Sequence, residues 1–169
     1  MVFFLSSERF KDDMLNDNVA DEYVKTAIMI AQQELVELLG DALYNKLEDM
    51  TSDGTIDGTV YQDLLNSFIV PMLEFRSMAE LCVITSYKVG NIGLFQNYDQ
   101  NANSNTLETI CFVEKHWSDK AEFYRHRLIK YLNKNCALFP EYRCSCENLS
   151  GPSENKVINT GIWLGGTRH

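Results

Sequence analysis

Two thiols one residue apart, Cys144 and Cys146 flanking Ser145, are the feature of this 169-residue sequence most suggestive of chemistry. A dithiol at that spacing in a loop can bind a soft metal or cycle through a disulfide. A structural zinc site needs four ligands, usually with at least two residues between paired cysteines, and no second Cys or His pair stands nearby in the sequence. Glu122 and His126 have the spacing of four that puts two ligands on one helix face, but two ligands are not a site. His116 and His126, ten residues apart, share no face, and the third histidine is the last residue, His169. The segment Gly90-Asn91-Ile92-Gly93 lacks the third glycine and the following helix start of a phosphate-binding loop. No nucleophile and base pattern emerges among the many carboxylates. The expectation is a protein without catalytic activity, cofactor or metal.

The elements that would position these groups read as helices. Ser6 or Ser7 before Glu8-Arg9-Phe10 predicts a short capped helix ending near Asn16-Asp17-Asn18. From Asp21, the residues Val24, Ala27, Ile28, Ala31, Leu35, Leu38 and Leu39 recur every three or four positions, Gly40 ends that helix, and Ala42 to Met50 predicts another. Thr51 to Thr59, with Ser-Asp-Gly and Asp-Gly, predicts an exposed turn. The longest stripe, Tyr61, Leu64, Leu65, Phe68, Met72, Phe75, Ala79, Cys82, Val83 and Ser86, marks the central helix, with a kink or break expected at Pro71. A last helix is predicted from Thr106 to Asn135, with Ile110, Val113, Trp117, Ala121, Tyr124, Leu128 and Leu132 turned inward. The resulting fold class is mainly α, a bundle of about four to five helices. It occupies residues 1–139, with an arm at residues 90–105 between the two long helices and an extended C-terminal tail at residues 140–169 that can add short β-strands.

Composition fits one domain. The chain is 45% hydrophobic, enough for a single core, and no apolar run is long enough to cross a bilayer. The apolar start, Met1 to Leu5, lacks the features of a signal peptide, so synthesis in a cytoplasm is expected. The cysteines number five, an odd count that argues against a disulfide framework. Cys82, Cys111 and Cys136 fall in helical patterns as small apolar residues. The net charge of −9 is local: residues 1–60 hold thirteen acids and four bases, while the remainder balances. An acidic pole repels phosphate and disfavours tight nucleic-acid binding. The last helix has a basic outer face on which Lys115, Lys120, Arg125, Arg127, Lys130 and Lys134 outnumber Glu108, Glu114, Asp119 and Glu122, a surface able to attract the acidic half of another copy. Apolar residues outside the bundle need covering. Ile92, Leu94, Phe95 and Tyr98 in the arm, and Val157, Ile158, Ile162, Trp163 and Leu164 in the tail, are the candidate partner contacts, with Trp163 and its neighbours the anchors.

Several ordered fragments resemble the connector (adaptor, or neck ring) proteins of tailed phages that infect Bacteroides-type bacteria, including the crAss-like phages. They are Ser6-Ser7-Glu8-Arg9-Phe10-Lys11, Asn16-Asp17-Asn18-Val19, the run from Leu39 to Leu47, Pro71, Glu80-Leu81, Ser86-Tyr87-Lys88, Lys120-Ala121-Glu122-Phe123-Tyr124, Arg127-Leu128, and Asn159-Thr160-Gly161-Ile162-Trp163-Leu164-Gly165. Cys144-Ser145-Cys146 is no part of that pattern. The resemblance implies a structural virion protein in the neck, forming a homo-oligomeric ring, a dodecamer in such phages. It would join the portal protein to neighbouring neck or tail rings, leave a channel through which DNA passes as cargo, and involve no membrane. Two other readings stand beside it: a non-viral helical protein-binding module, and a metal or redox protein using Cys144 and Cys146.

Overall fold

The computed structural model describes residues 2–15, 19–90, 93–96 and 107–145. Helix α1 spans Ser7–Met14, and the Ser6 hydroxyl caps it by accepting the Arg9 backbone N–H at 3.2 Å. Helix α2, Asp21–Leu39, buries Val24, Ala27, Ile28, Ala31, Leu35 and Leu39, the predicted stripe apart from Leu38, which is only partly buried. Helix α3, Asp41–Ser52, begins after a single intervening residue. That residue is Gly40, at φ 75°. Its N–H bonds the Val36 carbonyl while its own carbonyl accepts from Tyr44, so one glycine ends one helix and starts the next in a conformation that side chains resist.

The central helix continues through its proline. Helix α4, Val60–Leu64, runs into a π-turn, Leu65–Ile69, and then into α5, Val70–Ser86. The break expected at Pro71 is replaced by this wider turn. The Val70 N–H reaches back five residues to the Leu65 carbonyl, one position before the proline that has no N–H to give. Ser67, whose carbonyl loses its usual donor, is exposed to water.

Helix α5 is buried on two sides. Phe75 stacks on Trp117, and Phe68 on Tyr131, which turns the side bearing Phe68, Met72, Phe75 and Ala79 toward α6, Leu107–Lys134. Val70, Leu73, Ser77 and Leu81 lie roughly half a turn away, buried on the side that packs on α2. The single predicted stripe therefore held only half of the core contacts, and its Val83 is exposed. A central helix apolar on two sides shows no single amphipathic period.

Between α5 and α6 the backbone forms an antiparallel ribbon, β1 Tyr87–Gly90 and β2 Gly93–Gln96, with Tyr87 opposite Gln96 and Gly90 opposite Gly93. The arm thus begins three residues earlier than predicted, as strand. Helical structure also continues beyond the point where the period is lost, because α7 occupies Pro140–Ser145. Proline suits a first helical position, where no N–H is needed. Helix α7 packs on α3, and the Tyr61 hydroxyl donates to the Glu141 carboxylate at 2.9 Å. Burial, reinforced by that carboxylate, pushes the Tyr61 hydroxyl up to about 12. The bundle accordingly takes in residues assigned above to the tail.

The N-terminal segment is part of the core. Phe4 and Leu5 are buried, and the fully buried Gln32 of α2 holds the backbone beside them. Its amide oxygen accepts from the Phe4 N–H at 3.0 Å, and its nitrogen donates to the Val2 carbonyl at 2.6 Å and to the Tyr44 hydroxyl at 2.9 Å. A side-chain amide here pairs the extended segment much as a neighbouring strand would.

Helix α1 is tied down by Phe10 and by Arg9, whose Nε stands 3.8 Å from Glu74 of α5 and 3.5 Å from Asp13. Burial lifts the Glu74 carboxyl above its ordinary 4.5, with Arg9 opposing and Asp13 adding to the shift. The folded protein then holds a proton there that the unfolded chain has already released. The resulting stabilisation is full below 4.5 and is lost as pH rises through the folded value. Thermal melts between pH 4 and 7 should therefore show Glu74→Gln gaining on the wild type as pH increases. A difference that stays flat or runs the other way would mean that the Arg9 pairing outweighs burial.

Candidate protein interface

The six predicted cations of α6 divide into two groups. Lys120 lies over Trp117, its Nζ 4.4 Å from the ring centroid, and also reaches Phe75. The Arg127 guanidinium sits 5.5 Å from the Tyr124 ring and 5.6 Å from those of Phe68 and Phe123. Arg125 pairs with Glu122 at 3.2 Å. Lys115, Lys130 and Lys134 are exposed and make no ion pair among the described residues. Half of the basic residues are thus engaged within the chain, and the other half are not.

Lys120 and Arg127 cover an aromatic seam that sequence reading missed as a unit. Phe75 stacks between Trp117, at 5.9 Å, and Tyr124, at 5.5 Å, and Phe68 stacks on Tyr131 at 4.4 Å. Phe139 closes the row, edge-on to Tyr61 and tilted against Tyr131. Rings paired in this way, with cations over their faces, fix the angle between α5 and α6 beyond what area alone would do. The signal was present, since aromatic residues at Phe68, Phe75, Trp117, Tyr124 and Tyr131 recur every seven residues on two helices. On the adjoining side, Arg76 of α5 pairs with Glu34 of α2 at 2.9 Å and with Glu80 at 3.2 Å, and its Nη1 is 3.4 Å from the Ser118 hydroxyl of α6. One guanidinium therefore links three helices.

The outward side of α6 carries two large exposed aromatics, Phe112 at 73% and Phe123 at 58% exposure. Neither was among the candidate contacts. They stand eleven residues apart, close to three full turns, so they share a line with Asp119 and Lys130. The outward side of α2 presents Met29 and Ile30, 38% and 37% exposed, between Glu22 and Glu37. Because α5 packs against both helices, these sides face away from each other, one aromatic with charges of both signs, the other acidic and aliphatic.

Other candidates fare differently. Cys111 on α6 is exposed, Cys136 follows α6 in a turn, and Cys82 is half-buried with its thiol pushed up by burial. Cys144 lies on α7, while Cys146 falls outside the described residues. His126 and Glu122 do meet, Nδ1 standing 3.5 Å from the carboxylate, but no three metal-binding side chains gather among the described residues. Of the arm contacts, Leu94 and Phe95 lie on β2, where only the backbone is described, and Ile92 and Tyr98 lie outside the described residues. So do Val157, Ile158, Ile162, Trp163 and Leu164 of the tail. Among the described residues no helix is long and apolar enough to cross a membrane.

No curated protein and no solved structure matches the chain. A family match covers residues 35–151, from the last turn of α2 through the central helix, the arm, α6 and α7. Since that stretch is well over half of the chain, the protein belongs to DUF6712, a family of unknown function.

Proposed function

We propose that this protein is a head-to-tail connector subunit of a tailed phage. Copies close into a ring in the virion neck, joining the portal to the tail around a channel for DNA. One observation carries the reading: the charge-bearing outward sides of α2 and α6 lie on opposite sides of α5. A ring built by rotation needs two different, mutually complementary patches on every copy, and their separation sets the next copy beside the last. The resemblance of the ordered fragments to phage connectors supplies the portal as partner and the neck as location. The ribbon β1–β2 and the chain beyond α7 are the segments left to reach adjoining rings.

Assembly is the direct test. The purified full chain is measured by native mass spectrometry and imaged by electron microscopy, alone and with the portal protein of the same phage. Rings of a single symmetric stoichiometry, seated on the portal, are the expected result. A chain that stays monomeric at high concentration and ignores the portal would remove the reading and favour a simple protein-binding module.

A further inference from the structure

We propose that Asp53 is a modification site, where the chain isomerises to isoaspartate without an enzyme, and that Gln62 protects the matching pair, Asp57 and Gly58, from the same reaction. The segment between α3 and α4 repeats one dipeptide, Asp53-Gly54 and Asp57-Gly58. All four residues are exposed. Both glycines have positive φ, 66° and 72°, and nothing lies within 4 Å of the point where a side chain would begin on either. That openness has a chemical consequence. The glycine nitrogen can attack Cγ of the aspartate before it, forming an N–Cγ bond, while the amide proton and the carboxyl hydroxyl leave as water. The product is a five-membered succinimide, which a water molecule reopens at either carbonyl. Opening at Cγ restores aspartate. Opening at the backbone carbonyl leaves the main chain running through the former side-chain carboxyl carbon, with the former backbone carbonyl now a free carboxylate. No atom is gained or lost overall, and water is the sole co-reactant. Glycine favours the attack because it has no Cβ to crowd the ring.

The two pairs are alike in sequence and differ in what holds them. Gln62 grips both reacting groups of the second pair. Its Nε2 donates to Asp57 Oδ1 at 2.7 Å, and its Oε1 accepts the Gly58 N–H at 2.8 Å. The attack needs that N–H to give up its proton and that carboxyl to swing onto the nitrogen, so both bonds must break first. The turn beneath is closed as well, since the carbonyl of the buried Ile56 accepts from the Thr59 N–H at 3.2 Å. At the first pair, the Asp53 carboxylate and the Gly54 N–H make no hydrogen bond or ion pair among the described residues. Only the helix end spans them, with the Asp53 N–H on the Asp49 carbonyl at 2.9 Å and the Thr55 N–H on the Met50 carbonyl at 3.0 Å. Asp53, at φ −82° and ψ −6°, must turn about ψ to bring the glycine nitrogen against Cγ, and that motion is a fraying of the last turn of α3. Helix ends open most readily. Fraying there frees both reacting groups of Asp53 at once, whereas opening the Ile56–Thr59 turn leaves Gln62 on both groups of Asp57.

The test is isoaspartate mapping of the full chain. Wild type and Gln62→Ala are aged in mildly acidic buffer at body temperature and digested, and the peptides are read by mass spectrometry with electron-transfer fragmentation, which tells the isomer from aspartate. Wild type aged in urea gives the rates of the unfolded chain. In the native wild type, isoaspartate should build up at Asp53 at least about fivefold faster than at Asp57, and Gln62→Ala should raise the Asp57 rate at least about fivefold with Asp53 unchanged. In urea the two sites should converge. Circular dichroism checks that the variant is folded. If Gln62→Ala unfolds, Gln62→Glu replaces it, keeping an acceptor for Gly58 but setting a carboxylate against Asp57, and it too should raise the Asp57 rate. A native chain that forms no isoaspartate at Asp53 overturns the site. Asp57 reacting as fast as Asp53 in the native wild type, or staying unmoved in a folded Gln62 variant, overturns the protection. A difference that persists in urea does the same, because the fold would then not be its source.

Discussion

Replacing Phe139 by alanine is expected to cost about 3–5 kcal/mol of folding stability, as for other fully buried phenylalanines truncated in a core. Phe139 is fully buried between the end of α6 and the start of α7, edge-on to Tyr61 at 5.5 Å and tilted against Tyr131 at 5.9 Å. Truncation leaves a cavity where three chain segments meet and removes the surface on which α7 sits. The loss is large against the roughly 5–15 kcal/mol that a domain of this size commands. Urea unfolding measures it directly. The neighbouring Leu138→Ala, at an exposed position, should shift the same curve by less than about 0.5 kcal/mol. A local consequence accompanies the global one: the Tyr61 hydroxyl should lose its bond to Glu141, and its titration should move back toward that of an ordinary tyrosine. A cost for Phe139→Ala below about 1 kcal/mol would mean that α7 is not seated on the bundle as described.

Gln32→Leu should be the second most damaging single change, at about 2–4 kcal/mol, although leucine is apolar and similar in volume. The amide is the hydrogen-bonding partner of the Phe4 N–H, the Val2 carbonyl and the Tyr44 hydroxyl. Removing it leaves a buried donor and its neighbours desolvated without replacement, and that penalty exceeds what one extra apolar side chain returns. The effect should be uneven across the molecule. Hydrogen exchange at Phe4 and Leu5 should accelerate far more than in α5 or α6, because the segment loses its attachment while the helical core keeps its packing. A leucine variant as stable as the wild type, with unchanged exchange at Phe4, would show that burial of Phe4 and Leu5 alone retains the segment.

Much of the fold was legible because it is local. The Ser6 cap, the stop at Gly40, the stripe of α2 and the inward line of α6 follow from side chains a few residues apart, and helices obey such spacing whatever surrounds them. The candidate interface was legible only in outline. Charge polarity between the N-terminal half and α6 can be counted from the sequence, and it drew attention to six cations. It could not separate Lys130, which is exposed and unpaired among the described residues, from Arg127, which lies over three rings. Phe112 and Phe123 are inconspicuous in the sequence for a related reason. An aromatic residue out of phase with a buried stripe reads as noise until its neighbours are known to leave it uncovered.

The sequence by itself determined the mainly α class, the helix order and most boundaries, and the acidic excess of residues 1–60, all of which depend on composition and on contacts within a turn or two. Only the tertiary structure decided that Pro71 is absorbed by a π-turn, that α5 is buried on two sides, that Gln32 clamps the N-terminal segment, and that α7 completes the bundle. Each of these depends on groups far apart in the chain, such as Gln32 with Phe4 or Tyr61 with Glu141, whose meeting is fixed by packing and by the need to pair buried polar groups. No local period encodes it.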